Sequence, residues 1–178
     1  MSSPAPASSQ TARHRVSYAV FAALLLLATI FILATESQLP AFVASHFDAA
    51  GDPNAFMPRA RYVRFVLCLA IGLPAAVVTV LSVVYRHARN MKLPHREYWL
   101  APERNESTRS FLIAHGVWFG SLLVILICFM HWLELGANRL QPPHLSNEEF
   151  GIGMLAFLVA TAVWIGALMA AFRRPAHD

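Results

Sequence analysis

Four long runs without a formally charged residue dominate this chain, and they restrict its fold more than any other feature. They cover residues 16–34, 65–85, 110–133 and 150–172, and each is at least 19 residues long. About 20 helical residues cross a hydrocarbon layer of roughly 30 Å. Lipid offers no partner to an exposed amide or carbonyl, so a spanning segment must satisfy its own backbone. A barrel would need short strands of alternating polarity, whereas these runs are apolar on every face. The expected fold is all-α, an integral membrane bundle of four helices. Only 13% of the 178 residues are charged, about half the share of a soluble domain.

The first run is too long and too rich in Leu and Phe for the hydrophobic region of a cleaved signal peptide, so it reads as a retained helix. The preceding stretch, residues 1–12, is small, polar and Pro-containing, and is expected to be a disordered tail. Residues 13–178 then form one transmembrane domain. Lysine and arginine set its orientation. Ten lie in the two tails and the loop between the second and third runs, against four, Arg59, Arg61, Arg64 and Arg139, on the other side. The positive-inside rule places both termini in the cytoplasm, and residues 36–61 outside. The pI near 9.6 belongs to cations flanking the helices, beside anionic lipid. Nucleic acid is not an expected partner.

The outer loop carries the densest polar chemistry. In "SHFDAAGDPNAFM", residues 45–57, Asp52-Pro53-Asn54 suits a tight turn, with Pro pre-setting a backbone angle. Gly51 before it can take a positive φ. His46, Asp48, Asp52, Met57, His131, Glu134 and His144 gather on the same side. Histidine with carboxylate suits zinc, and histidine with methionine suits copper. No compact ligand spacing such as HExxH is present, so polar helix ends are the preferred reading and no metal or other cofactor is expected. Nucleophile elbows, phosphate loops and dinucleotide fingerprints are absent from the sequence. The chain does not read as an enzyme.

Within the membrane, His115 and His131 are sixteen residues apart on the third helix, or roughly 24 Å at the helical rise, too far to share an ion. His115 is expected to hydrogen-bond to another helix or to the loop. That helix should start near Pro102, with Glu103 in its first turn. Ser146 or Asn147 should cap the last helix. Ala162, Gly166 and Ala170, four residues apart, predict a packing face inside the bundle or between subunits.

"LPAFVASHFDAAGDPNAFMPRARY", residues 39–62, resembles the hallmark of a bacterial membrane-protein family of unknown function that also forms the N-terminal part of SdpI-type immunity proteins. Leu39, Pro40, His46, Phe47, Gly51, Pro53 and Asn54 carry the likeness, and Phe56 stands where a tryptophan is usual. "REYWLAPER", residues 96–104, and His115 with Trp118 resemble further family features. The resemblance implies a role for this loop, and for SdpI-type relatives immunity to a secreted toxic peptide with sequestration of a cytosolic repressor. The reading is then a non-enzymatic membrane protein that senses or binds a ligand or peptide through His46, Phe47, Asp48, Gly51, Pro53 and Asn54. His115 would assist, and Trp99 and Glu103 would contact a protein partner. The alternatives are a structural accessory subunit or homo-oligomer using Ala162, Gly166 and Ala170, and a metal-handling protein.

Overall fold

The computed structural model describes residues 7–87 and 93–173. Five α-helices and one hairpin follow in the order α1 (Ala7–Thr35), β1 (Phe42–Phe47), β2 (Pro53–Pro58), α2 (Arg59–His87), α3 (Arg96–Trp99), α4 (Pro102–Ala137) and α5 (Asn147–Ala171). The four long helices are each long and apolar enough to cross a membrane, as the charge-free runs require. Pro102 opens α4 as its first residue, where its missing N–H costs nothing. Ser146 caps α5 by accepting the Glu149 amide at 3.2 Å. The expected disordered tail is corrected in part. Residues 7–12 are already helical, in α1, and residues 1–6 lie outside those described.

The two larger parts of the core are built by three of the four spans, while Phe172 at the end of α5 packs with Leu112 of α4 in a smaller third. Phe21 and Ala28 of α1, Val78 of α2 and Val117 and Val124 of α4 form the middle. Ile32, Tyr62, Val63, Val66, Ala70, Ile127 and Leu135 continue it toward the hairpin. Close approach depends on α4. A Cβ on Gly120 would overlap Val78 Cγ2, and one on Gly116 would stand 3.3 Å from Leu81 Cδ1. The small-residue seam of the core, spaced by four, is therefore Gly116 and Gly120.

α5 lies principally against α4 and has no buried residue. Ala162, Gly166 and Ala170 are all exposed, and a Cβ on Gly166 would meet nothing within 4 Å. The inside-the-bundle form of the packing expectation is corrected here: the stripe faces outward because α5 turns Trp164 toward α4 instead.

The segment between α1 and α2 is also more ordered than a loop with one turn. β1 and β2 pair antiparallel, Phe42 with Pro58 and Val43 with Met57, and a register shift falls between Ala44 and His46. Its tip is not Asp52-Pro53-Asn54. The Gly51 amide bonds the Asp48 carbonyl at 3.0 Å, and Asp48 Oδ1 accepts from the Ala50 and Asp52 amides at 2.9 and 3.0 Å. A carboxylate that holds two amides fixes the turn at Asp48, four residues earlier, leaving Pro53 and Asn54 in β2.

Candidate functional site

The hairpin sits on the ends of α1, α2 and α4, and side chains from each hold it. Val43 and Met57 point into the core cluster of Ile32, Tyr62 and Leu135. On the other face Phe42 and Phe56 are 66% and 55% exposed. The free side of β1 is closed by one amide. Asn138 Oδ1 accepts from the Ala44 N–H at 2.8 Å, and its Nδ2 donates to the Ala44 carbonyl at 3.0 Å and the Glu134 carbonyl at 2.9 Å. The side chain thus replaces a neighbouring strand at Ala44, which is fully buried. At the tip, Gly51 takes φ +90° and its carbonyl accepts from the Leu145 amide at 2.9 Å. A Cβ there would overlap the Leu145 carbonyl oxygen. Asn147 Nδ2 donates to the Ala49 carbonyl at 3.0 Å. The α4–α5 connection therefore clasps the hairpin from both sides.

Of the residues expected to bind a ligand, the hairpin brings His46 and Asn54 together. His46 Nδ1 lies 2.6 Å from Asn54 Oδ1, both exposed. An amide oxygen only accepts, so Nδ1 donates to it. Asp48 holds the turn, Gly51 the clasp, and Phe47 pairs with Pro53 at the end of the ladder. A second exposed pair, His144 Nδ1 and Asp52 Oδ1 at 3.3 Å, stands beside them. His131 and Glu134 belong below, in the helical core. Among the described residues no three His, Cys, Asp or Glu side chains come together as metal ligands. The seven residues expected to share this end are split: Asp52 stands with His144, His46 with Asn54, Asp48 on the turn amides, Met57 against the core, and His131 and Glu134 below among the helices.

The buried contacts of His131 are what sequence reasoning missed. His131 is 1% exposed. Its Nε2 lies 2.9 Å from Thr35 Oγ1 and its Nδ1 2.9 Å from the Tyr62 hydroxyl. The ring also stacks on Tyr62, with Phe31 edge-on at 5.3 Å. Glu134 follows His131 by three residues on α4, and its Oε2 is buried with no hydrogen-bond partner among the described residues. Tyr62 and Thr35 sit 69 and 96 positions from His131, so no spacing rule connects them. The only sequence signal was an ionisable residue inside an apolar run.

At the opposite end, His115 is occupied by α5. Its Nε2 donates to the Trp164 carbonyl at 3.0 Å, while Trp164 Nε1 donates to the His115 carbonyl at 2.9 Å. The rings stack at 4.5 Å. This histidine is a helix-to-helix fastener, remote from the hairpin. Trp99 packs edge-on against Phe172 at 5.4 Å, and its carbonyl accepts from Thr108 Oγ1 at 2.8 Å. Arg109 Nη1 donates to the Tyr85 and Arg86 carbonyls. Glu103 is exposed in the first turn of α4. Trp99 therefore braces the α2–α4 connection, and of the two expected partner contacts Glu103 is the exposed one.

Residues 23–72 match a domain of unknown function, DUF1648. The matched segment runs from within α1 through the hairpin into α2, so it contains the clasped hairpin together with Thr35 and Tyr62. No curated protein and no solved structure matches the chain.

Proposed function

We propose that this is a non-enzymatic bacterial inner-membrane protein that binds a ligand or peptide through its outer hairpin, with its termini and the α2–α4 connection in the cytoplasm. The observation that carries the reading is the build of the hairpin. Its backbone is fastened to two helix ends and a loop, yet Phe42, Phe56, His46 and Asn54 face outward. A rigid scaffold that presents aromatic and hydrogen-bonding groups loses little entropy on binding. The likeness of residues 39–62 to SdpI-type immunity proteins supports a secreted peptide as the ligand class, with Glu103 and its neighbours as the surface for a cytosolic partner. In a mild-detergent preparation of the full chain, His46→Ala with Asn54→Ala is expected to reduce recovery of a co-purifying peptide by about tenfold or more, the scale of one lost binding contact of ~1.4 kcal/mol. Membrane insertion should be unchanged. Undiminished recovery of the same peptide would remove the reading.

The outward face of α5, which has no buried residue, favours a second reading, an accessory subunit held by Ala162, Gly166 and Ala170. Here Gly166→Leu should shift native-gel migration to a smaller species, and the hairpin variants should leave migration as it is. Unaltered migration of Gly166→Leu counts against the subunit reading alone.

A further inference from the structure

The two edges of the hairpin differ. Ala44 gives its N–H and C=O to Asn138, which closes the outer edge of β1. Facing residues of an antiparallel pair either exchange both bonds or turn both groups outward, in alternation along the ladder. Ala44 faces Phe56 and turns its groups away from β2, so the N–H and C=O of Phe56 point away from β1. The Arg59 amide fixes the same phase. It donates to the Ala41 carbonyl at 3.0 Å, three steps along the ladder from Ala44, as an outward-turned Phe56 requires. Asn54, Ala55 and Phe56 are all exposed, and besides β1 the strand meets principally α2. An open strand edge of this kind is a template for one more strand.

Placement and charge decide which strand fits. The hairpin starts at the ends of α1 and α2, and its tip meets Leu145 and Asn147 at the start of α5. Val43 and Met57 pack below, and Phe42 and Phe56 are exposed above. The sheet therefore lies flat across the helix ends, with its normal along the spans. A two-fold axis on that normal sets β2 antiparallel to β2 of a second copy, and it keeps both copies upright in one bilayer. Asp52 lies four residues before Phe56, and Arg59 and Arg61 lie three and five after it. Pairing centred on Phe56 thus brings the exposed acid of each copy level with two arginines of the other. Those arginines stand in the first turn of α2, where the helix dipole disfavours a cation. That turn holds no acid, whereas α4 and α5 both carry one there.

We propose that β2 is a homodimerisation edge, to which β2 of a second copy of this chain adds antiparallel to make one four-stranded sheet. The Phe56 N–H of each copy donates to the Phe56 carbonyl of the other, and Asp52 faces Arg61 across the seam. Pro53 and Pro58 have no N–H, so the ladder ends within β2. The outer strands of the joined sheet are both β1, held at Ala44 by Asn138, so the contact is self-complementary and assembly stops at two. The pairing occupies the edge and leaves the aromatic face open. It therefore goes beyond the ligand reading and does not depend on it.

The test uses the full chain in lipid vesicles at a low protein-to-lipid ratio, with Cys68 and Cys128, the two free cysteines, replaced by alanine and one new cysteine introduced. Phe56→Cys is expected to give a disulfide-linked dimer on mild oxidation, because paired residues there stand about 5.5 Å apart at Cα, within disulfide reach. Phe42→Cys, on the same face, should stay unlinked, since the two positions would be roughly 20 Å apart by strand spacing. Asp52→Arg should lower the Phe56→Cys yield about fivefold, the scale of an exposed ion pair. Adding Arg61→Asp should restore it. A Phe56→Cys chain that stays unlinked overturns the proposal, as does equal linking of Phe42→Cys, which marks chance collision. Linking at Gly166→Cys in its place would assign the dimer to α5, and a monomer whose Phe56→Cys thiol is shielded by a co-purifying peptide would assign the edge to that peptide. Either result overturns the pairing of copies. If the chain without Cys68 and Cys128 does not fold, single-molecule photobleaching of the tagged wild type and Phe56→Pro decides. Proline removes only the outward N–H, so it should convert dimers to monomers, and an unchanged dimer fraction, or a monomeric wild type, overturns the proposal.

Discussion

Asn138→Leu is expected to release β1 from α4 and to lower the stability of the hairpin by about 2–6 kcal/mol, the cost of leaving two buried backbone groups without partners at ~1–3 kcal/mol each. The groups are the N–H and C=O of Ala44, which water cannot reach in the intact structure because that residue is fully buried. Leucine has similar volume but neither a donor nor an acceptor. The Glu134 carbonyl keeps the backbone amide of residue 138, now 3.0 Å away, so the end of α4 should survive. Amide hydrogen exchange in detergent is the measurement. Residues 42–58 should exchange faster, with α1, α2 and α4 protected as before. Asn138→Asp retains the acceptor for the Ala44 N–H and loses the donor, so an intermediate effect is expected. Wild-type exchange across the hairpin in Asn138→Leu would show that the amide does not secure β1.

Gly51→Val acts on the other end of the same element. Its φ of +90° is a conformation that a β-branched residue resists, at a cost of order 1–3 kcal/mol. The added side chain also meets the Leu145 carbonyl oxygen and, at 3.0 Å, His144 Cε1. Backbone cannot yield as a flexible side-chain tip can. The expected result is separation of the α4–α5 connection from the hairpin tip, with loss of the Leu145 amide bond to Gly51 and of the His144–Asp52 pair. Faster exchange of the Leu145 amide and new protease cleavage near residue 50 would report it. Because both substitutions loosen one hairpin, the double variant should fall short of the sum of the two effects. Simple additivity would mean that the two ends are held independently.

The contrast between the helices and the hairpin shows what could be read in the sequence. Membrane spans are written locally, since twenty apolar residues have one acceptable backbone in lipid, and the boundaries followed from Pro102 and Ser146. The hairpin was legible in part. Gly51 was recognisable as a positive-φ position, but Asp52-Pro53 is a stronger turn signal on propensity than Asp48, and the two amides captured by Asp48 decided otherwise. The small stripe of α5 and the glycines of α4 have the same four-residue spacing, and spacing alone does not say which stripe meets a neighbour. Trp164 settles it by turning toward His115. The partners of His131 were illegible for a different reason: Thr35 and Tyr62 reach it only through the three-dimensional crossing of three helices.

The peripheral place of α5 bears on how the molecule is made. The first three spans bury one another without it, and domains form in order from the N-terminal side as the chain is synthesised. The last span therefore meets a finished surface. Its arrival is a docking event, guided by Trp164 reaching His115 and by the Phe129 ring lying over Gly153, while its tether, the clasp at Leu145, already depends on a hairpin completed much earlier in synthesis.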